Sequence, residues 1–563
     1  MRALLLILAL TAYAQEEAPG GRDQARSMVI TKFGIVATSQ TLASQAGAKV
    51  LEQGGNAIDA AIAANATLGV VEPAMNGMGG DLFAIIYEAK TGKLYGLNSS
   101  GWTPAALTLD GLKQRGITEA NKLGVHRVTV PGAVAGWQAL HDKFGTMGFD
   151  KLLAPAIYYA ENGYPLTETI RDEAAAAAKR LAVQPGFKET YMPGGKFPEV
   201  GEIFRNPALA ESLKLVAAKG RDGFYKGATA QKVLAFLKEQ GNFMTATDMT
   251  EFQPEWVDPI STTYRGWTIY EIPPNTQGIA ALEMLNIMEK FPMAEYGHNS
   301  GKALHVMIEA KKMAYSDMLK YVGDPRSSKV PTDWLKSKGL GEDRAKMLDA
   351  AHANCDPVPA ELTERTAQGN DTIYMSAIDK DGNIVSLIQS NYSSFGTGMV
   401  APGTGFALHN RGGLFTLKPN EPNTIGPRKR PIHTIIPAFM EKGQTRIGFG
   451  IMGGWNQAQA HAQFVANVVD YGMNIQMALE AARFTKGTFS GCDVMIESRV
   501  PAGVRSELTA MGHKIALRGA YSGSMGRGQA VERNSAGVNF AGSDPRADGE
   551  AIPEGPPVFG VKR

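Results

Sequence analysis

Thr372, in the segment GNDTIYMSAIDKDGN at residues 369–383, is the strongest candidate nucleophile in the chain. Hydropathy alternates over 372–379, the cluster DKDGN predicts a turn, and an apolar run follows at 384–389, so the pattern predicts a β-hairpin that Thr372 opens. A threonine hydroxyl is a weak nucleophile, but a neutral α-amine on the same residue can act as its base if cleavage after Asp371 makes Thr372 an N-terminus. From this segment alone, a solvent-facing threonine at a strand start is the simpler interpretation.

The secondary-structure elements predicted before Thr372 in the sequence differ in type from those predicted after it. Apolar residues recur at helical spacing at 43–53, 57–70, 135–143, 152–162, 209–218, 228–240, 279–290 and 302–318, and Asn56 is a predicted N-cap. After residue 371, strands are predicted at 372–379, 384–390, 446–452, 494–497, 514–517, 529–533 and 538–541, with helices at 457–471 and 503–511. Sheets paired inside with helices outside predict an α+β sandwich.

Composition excludes several classes of protein. With 57 basic and 55 acidic side chains, there is no global field to attract nucleic acid or an anionic membrane, and the cluster 428–430 (RKR) is predicted to be a solvated turn. Arg2, an apolar run at 3–13 and the pattern AYA predict a signal peptide at 1–14, and therefore a periplasmic or extracellular protein. The apolar run is shorter than the ~20 residues that span a bilayer.

Cysteine and histidine usage predicts neither a disulfide scaffold nor a metal site. Cys355 and Cys492 are the two cysteines; one bridge between them is open, since a sequence does not give their separation. His305 and Glu309 share a helical face but lack the third ligand of a catalytic zinc, so a surface contact is predicted. No metal and no cofactor are expected.

A series of ordered motifs gives the chain a family resemblance. They are residues 34–73, NGMGGDLF (76–83), 130–166, 305–325, DTIYMSAIDKDGN (371–383), FGTGMV (395–400), GPRKRP (426–431) and GFGIMGGWNQAQAHAQ (448–463). This series resembles the γ-glutamyltranspeptidase family of N-terminal-nucleophile hydrolases. The resemblance implies a four-layer αββα fold, autocleavage into a large fragment (15–371) and a small fragment (372–563) that share sheets, and no cofactor.

The resemblance also implies the chemistry of the site. Thr372 would attack the carbonyl of Asp371, form an ester by an N-to-O acyl shift, and become the mature N-terminal nucleophile. Ser390 falls at the position of a second hydroxyl that hydrogen-bonds the nucleophile, although an ordinary strand-end serine is an equal alternative. Gly453 and Gly454 match the pair whose N–H groups face the oxyanion; without the resemblance they would be a strand-to-helix turn.

Substrate-binding positions depart from the γ-glutamyl-specific members. Ser100 stands where those members carry the arginine that holds the α-carboxylate, and Trp102 follows two residues later. The acidic pair that holds the α-amine is replaced by Gly413 and Leu414, and two serines by His433 and Thr434. A pocket without these charges cannot discriminate for a zwitterionic group, and the pattern looks more like the acylase-like branch, which includes cephalosporin acylases and oxamate amidohydrolase.

The remaining expectations concern contacts and partners. Arg411 is expected to bind an anion, Asn410, His433 and Gln457 to make neutral hydrogen bonds, and His409 and His461 to satisfy structural hydrogen bonds. The substrate is expected to be a small amide or peptide, with water or an amine as acceptor, and assembly beyond the two-fragment unit is open. The predicted function is an autoprocessed threonine hydrolase or transferase for γ-glutamyl or related acyl amides. The alternatives are an acylase or oxamate-type amidohydrolase, and an uncleaved, inactive binding relative.

Overall fold

The computed structural model describes residues 24–355 and 371–559, so the signal peptide predicted at 1–14 lies outside the described residues. The strands are β1 (Val29–Thr31), β2 (Ile35–Ala37), β3 (Asp81–Glu88), β4 (Lys93–Ser99), β5 (Tyr164–Pro165), β6 (Ile203–Phe204), β7 (Glu255–Val257), β8 (Ile260–Tyr264), β9 (Trp267–Glu271), β10 (Asp371–Ile378), β11 (Ile384–Tyr392), β12 (Ala438–Lys442), β13 (Thr445–Ile451), β14 (Phe484–Thr485), β15 (Asp493–Glu497), β16 (Lys514–Arg518), β17 (Gly528–Arg533), β18 (Asn539–Ser543) and β19 (Ala551–Pro553).

The helices are α1 (Thr41–Glu52), α2 (Ala57–Val71), α3 (Leu109–Gln114), α4 (Ala133–Phe144), α5 (Phe149–Leu152), α6 (Ala154–Asn162), α7 (Glu168–Leu181), α8 (Phe187–Tyr191), α9 (Pro207–Lys219), α10 (Asp222–Tyr225), α11 (Gly227–Glu239), α12 (Ala246–Thr250), α13 (Gly278–Met288), α14 (Met293–Tyr296), α15 (Gly301–Tyr321), α16 (Thr332–Leu335), α17 (Lys338–Lys346), α18 (Gln457–Val469), α19 (Ile475–Glu480) and α20 (Ala502–Ala510). No helix in the described part of the chain is long and apolar enough to cross a membrane.

Two seven-stranded antiparallel sheets form the centre of the molecule. One has the order β19-β2-β10-β11-β3-β4-β7 and the other the order β1-β18-β17-β13-β12-β9-β8. Their facing sides enclose a shared apolar cluster, α1, α2 and α4 lie on the outer side of the first sheet, and α13, α18 and α19 lie on that of the second. The αββα sandwich is therefore confirmed.

The side chains of β10 alternate between the two faces of its sheet, so this strand contributes to two apolar clusters. Ile373, Met375 and Ala377 pack toward the helices, whereas Tyr374 and Ile378 pack between the sheets. Successive side chains of a strand point to opposite faces, so a strand in the middle of this sandwich must be apolar on both. The hairpin predicted at 372–390 is confirmed, with β10 and β11 paired antiparallel.

Both sheets take strands from each side of residue 371. β10 lies between β2 and β11, and β11 in turn pairs with β3, so segments before and after a cut at residue 371 alternate across one sheet. A disulfide also joins Cys355 to Cys492, with their Cα atoms 4.9 Å apart. This bond settles the pairing that the sequence left open.

Several predicted elements differ in detail. Asn56 caps α2 in a full capping box with Asp59, as predicted, but the helix expected at 152–162 is divided into α5 and α6. The strands β15 and β16 pair in parallel within a separate three-stranded sheet and do not enter the sandwich. The sequence patterns did not predict several strands of the two large sheets, namely β1, β2, β4, β7, β8, β9, β12 and β19.

Candidate active site

Thr372 lies inside the protein rather than on its surface. Its side chain is 1% exposed, and its hydroxyl donates to Ser390 Oγ at 3.1 Å. The pairing of β10 with β11 shifts register between Asp371 and Ile373, which places an irregularity at Thr372. Such bulges re-aim a side chain at the end of a ladder. The solvent-facing interpretation of Thr372 is therefore wrong.

The hydroxyl of Ser390 accepts hydrogen bonds from several donors. Besides the bond from Thr372, its Oγ accepts hydrogen bonds from Arg411 Nη2 at 2.9 Å and from the backbone N–H of Tyr392 at 2.8 Å. These contacts fix the position of the Ser390 hydroxyl. The arrangement places the Thr372 hydroxyl one hydrogen bond from a serine that the Arg411 guanidinium also contacts.

Arg411 is fully buried at the start of a 3-10 helix, Arg411–Leu414. Its Nη1 donates to Thr434 Oγ1 at 2.6 Å, and its guanidinium lies 4.5 Å from the ring centre of Tyr392. Burial lowers the pKa of Arg411 to about 10, so the side chain remains charged at neutral pH. Its hydrogen bonds orient Ser390 and Thr434.

Asp81, at the start of β3, supplies the negative charge that faces Arg411. Its Oδ2 lies 4.0 Å from Arg411 Nε, 3.0 Å from His433 Nε2 and 3.6 Å from His409 Nδ1. Burial raises the pKa of Asp81, but His409, the hydrogen bond from His433 and Arg411 outweigh it and bring that pKa to about 2. Burial and the charge of Arg411 lower the pKa of His433 to about 3. At neutral pH the site thus holds an Asp81–Arg411 ion pair with neutral His433.

Gly453 and Gly454 form the turn between β13 and α18. Both have positive φ, 133° and 59°, and neither backbone N–H donates to another residue in the described ranges. Gln277 Nε2 donates to the carbonyl of Gly454 at 2.7 Å, which fixes the turn. Gly450, just before it, packs against the ring of Tyr374 in β10. The turn therefore presents two unused backbone donors next to the hairpin of Thr372.

Four residues that were predicted to contact the substrate form hydrogen bonds with residues other than Thr372, Ser390 and Arg411. Ser100 Oγ donates to Asn98 Oδ1 at 2.7 Å, and Trp102 Nε1 to the carbonyl of Asp248 at 3.3 Å. The amide oxygens of the other two accept backbone N–H groups, Gln457 from Ile436 at 3.0 Å and Asn410 from Ser393 at 3.1 Å.

The two histidines expected to be structural have satisfied contacts. His461 Nδ1 donates to Glu271 Oε1 at 2.8 Å, and its Nε2 accepts the N–H of Ile451 at 3.1 Å. His409 Nε2 donates to the carbonyl of Thr129 at 3.1 Å. Asp81, Tyr392 and Gln277 are the residues that sequence reasoning missed. Asp81 lies within the motif NGMGGDLF, and its position in that motif is the signal that could have identified it.

His305 and Glu309 do not form the predicted surface contact. Both are buried, and His513 joins them, so that one ligand atom from each lies within 4.8 Å of the others. His305 Nε2 donates to the carbonyl of Asp349, its Nδ1 contacts His513 Nε2 at 2.8 Å, and Lys312 Nζ donates to Glu309 Oε1 at 2.6 Å. Because an ammonium already neutralises the carboxylate, this donor set fits a hydrogen-bonded network and not a cation site.

Comparison with known proteins identifies the family of the chain. Residues 43–554 match the family described as gamma-glutamyltranspeptidase. The chain is 36% identical over 537 residues to the glutathione hydrolase-like YwrD proenzyme of Bacillus subtilis (strain 168), covering 94% of this chain and 99% of that protein. It is 32% identical over 533 residues to the oxamate amidohydrolase proenzyme of Klebsiella pneumoniae subsp. pneumoniae, with 93% and 98% covered.

A solved structure extends the similarity to the whole fold. The crystal structure of cephalosporin acylase from Bacillus halodurans matches with a TM-score of 0.86 at 40% identity, covering 96% of this chain and 99% of that chain. The chain therefore belongs to the γ-glutamyltranspeptidase family and is an amidohydrolase that is made as a precursor and processes itself.

Proposed function

We propose that the precursor cleaves its Asp371–Thr372 bond, giving fragments 15–371 and 372–563, and that Thr372 is then the nucleophile. The Thr372 hydroxyl attacks the carbonyl of Asp371, the amide nitrogen takes the hydroxyl proton, and water hydrolyses the resulting ester. The products are a carboxylate on Asp371 and a free α-amine on Thr372. The buried hydroxyl held at 3.1 Å from Ser390 Oγ is the observation that carries this proposal.

In the mature enzyme, the α-amine of Thr372 removes the proton from its own hydroxyl as the oxygen attacks the substrate amide. The N–H groups of Gly453 and Gly454 receive the oxyanion, and the proton passes to the leaving amine. Water, or an amine acceptor, then releases the acyl group from the ester by the same route. Removing one oxyanion donor typically costs ~3 kcal/mol of transition-state stabilisation.

The proposed substrate is an amide whose acyl group carries no free ammonium. A site for an ammonium needs an unpaired carboxylate, but Asp81 is already paired with Arg411 and His433, and Gly413 and Leu414 provide no carboxylate. Similarity to a cephalosporin acylase and to an oxamate amidohydrolase supports an amide other than a γ-glutamyl amide. γ-Glutamyl hydrolysis or transfer is the second candidate, because the relative from Bacillus subtilis is named for glutathione hydrolysis.

Export is part of the same proposal. The signal peptide predicted at 1–14 directs the chain out of the cytoplasm, and disulfides persist in oxidising compartments. The bond between Cys355 and Cys492 supports that location.

One set of variants tests maturation and substrate together. Wild type should give fragments of about 38 and about 20 kDa on a reducing gel, and sequencing of the smaller should begin Thr-Ile-Tyr. Thr372→Ala should remain a single inactive chain, whereas Thr372→Ser, which keeps a hydroxyl, should still be cut. The mature enzyme should hydrolyse a glutaryl anilide faster than the γ-glutamyl anilide, which differs only by the α-ammonium.

Contrary results would separate the alternatives. A single full-length wild-type band would favour the uncleaved binding relative. Preference for the γ-glutamyl anilide would favour the second candidate and refute the substrate assignment, while leaving the role of Thr372 intact.

A further inference from the structure

The two sulfur atoms of the disulfide between Cys355 and Cys492 have different surroundings. Cys492, immediately before β15, is 3% exposed, whereas Cys355 is partly exposed. The Sγ of Cys492 lies 3.9 Å from the ammonium nitrogen of Lys312, and the Sγ of Cys355 lies 3.9 Å from the carbonyl oxygen of Ala353. One sulfur therefore faces a cation, and the other faces a partial negative charge.

The ammonium of Lys312 has three N–H donors and three neighbouring acceptors. It donates to Glu309 Oε1 at 2.6 Å and to the carbonyl of Asn354 at 2.9 Å, and the third acceptor is Cys492 Sγ. The side chain of Lys312 is fully buried, so water does not compete for the third N–H group. A disulfide sulfur is a weak acceptor, whereas a thiolate in the same place would form a charge-assisted bond.

Two further buried lysines add positive charge to the region of Cys492. Lys486 Nζ donates to Asp493 Oδ1 at 3.1 Å, beside Cys492 in the chain, and Lys311 Nζ donates to the carbonyl of Thr488 at 2.8 Å. Within residues 24–355 and 371–559, Lys311 forms no salt bridge, and burial and the charge of Lys486 hold its pKa well below the ordinary value. Nearby cations favour the thiolate form of a cysteine.

A purely structural crosslink is the simpler interpretation of this disulfide. Lys312 would then serve only to hold the segment before Cys355, through its bond to the carbonyl of Asn354. That interpretation does not account for the third N–H group, which is directed at a sulfur atom and not at an oxygen. It also does not explain why the cations gather at Cys492 alone.

We propose that this disulfide is a site of exchange with low-molecular-weight thiols, which attack Cys355 and release Cys492 as a thiolate. The sulfur of the incoming thiolate bonds to Cys355 Sγ, the bond between the two cysteines breaks, and its electron pair leaves on Cys492 Sγ, to which Lys312 donates. Exchange is faster when the leaving thiol has a lower pKa, and a neighbouring ammonium lowers it. One disulfide replaces another, so no oxidant is consumed, and Cys355 carries the small thiol.

This exchange goes beyond the proposed function, because it uses no group of the site around Thr372. Its consequence nevertheless differs with maturation. In the precursor, exchange opens a loop within one chain, whereas after the proposed cut at Asp371 it removes the covalent link between the two fragments. A thiol in the medium would then decide whether the fragments remain linked.

The test identifies which cysteine takes up the thiol and how fast. The folded protein is incubated with 2-mercaptoethanol for a series of times, quenched with acid, denatured and alkylated with N-ethylmaleimide. Mass spectrometry of the digest then shows which cysteine carries mercaptoethanol and which carries the maleimide. The variants are Lys312→Met and, as a matched control on the same helix α15, Lys320→Met, whose side chain is exposed. All are also made in the uncut Thr372→Ala chain.

Mercaptoethanol should be found on Cys355 at least about tenfold more often than on Cys492, because only Cys492 is stabilised as the leaving thiolate. Lys312→Met should slow the exchange about tenfold or more, since the charge-assisted hydrogen bond to the leaving sulfur is lost. Lys320→Met should react at the wild-type rate. Loosening of the structure by the substitution would instead accelerate exchange, so the direction of the change separates the two effects.

Several results would overturn the inference: no adduct with excess thiol, equal adducts on the two cysteines, a majority on Cys492, or an unchanged or faster rate in Lys312→Met. If Lys312→Met does not fold, the distribution of the adduct in the unsubstituted protein decides alone. The same measurement in the Thr372→Ala chain needs neither cleavage nor turnover, so it holds whether or not the proposed function fails.

Discussion

Removing the disulfide between Cys355 and Cys492 should have different consequences before and after maturation. In the uncut precursor the bond closes a loop with a sequence separation of 137. A cut after Asp371 falls inside that loop, so the same bond then joins the large fragment to the small one. The double variant Cys355→Ser/Cys492→Ser separates the two effects when it is made in wild type and in the uncut Thr372→Ala chain.

The loop length sets the size of the effect in the precursor. The entropy of closing a loop of this length corresponds to about 5 kcal/mol of stabilisation at 25 °C, an upper value because structure in the unfolded chain already restricts it. In the mature protein, the bond instead keeps two polypeptides together during unfolding. Without it, the fragments separate on unfolding, and the unfolding temperature becomes dependent on protein concentration.

Gel electrophoresis and thermal unfolding measure both effects. Mature wild type should run as one species of about 58 kDa without reductant and as two fragments with it. The mature serine variant should show an unfolding temperature that rises with concentration, whereas wild type should not. Fragments that separate without reductant would refute the link, and a precursor whose unfolding is unaffected by the double substitution would refute the loop argument.

Two further predictions concern the turn and the buried histidine. Gly453→Ala should lower kcat about 10²-fold or more, because the added Cβ would meet Gly526 Cα at 3.3 Å and an alanine is strained at φ 133°, so the turn must shift and move its backbone N–H away from the oxyanion. Gly472→Ala, also at positive φ but with open space around it, is the control, and an equal loss of kcat there would contradict the oxyanion role. His433 has a pKa of about 3 in the folded protein and 6.5 as its ordinary value, so the unfolded chain binds its proton first as pH falls. The free energy of unfolding should therefore decline as pH falls from about 6.5 to about 3, with a slope of up to about 1.4 kcal/mol per pH unit from this residue. Denaturant unfolding at a series of pH values should show a shallower decline in His433→Gln. An unchanged slope in that variant would contradict burial of the neutral ring.

Local patterns in the sequence were enough to predict the elements around the nucleophile. The β10–β11 hairpin has a strong turn cluster between two strands, and α2 has a capping residue at Asn56, so each could be identified without knowing its neighbours. The strands β7, β8, β9 and β12 could not. They are three to five residues long, and pairing with distant segments, β7 with β4 and β9 with β12, rather than a local pattern defines them.

Burial of charge was the other property that the sequence did not show. Arg430 stands in a basic cluster that predicts a solvated turn, yet it is buried, donates to the carbonyl of Ser100 at 2.9 Å and pairs with Glu255 at 2.7 Å. Likewise, the face shared by His305 and Glu309 is completed by His513, which lies 208 residues from His305. Partners at such distances leave no trace in a local pattern.

The buried ion pair of Asp81 and Arg411 shows why the site needs both kinds of information. Arg411 was expected to bind a substrate anion, but its guanidinium is already used to hold Ser390 and Thr434. Removing Asp81 would leave that guanidinium buried without its counterion, which is more costly than losing the pair as a whole. The pair therefore serves to fix the hydroxyl of Ser390 beside Thr372.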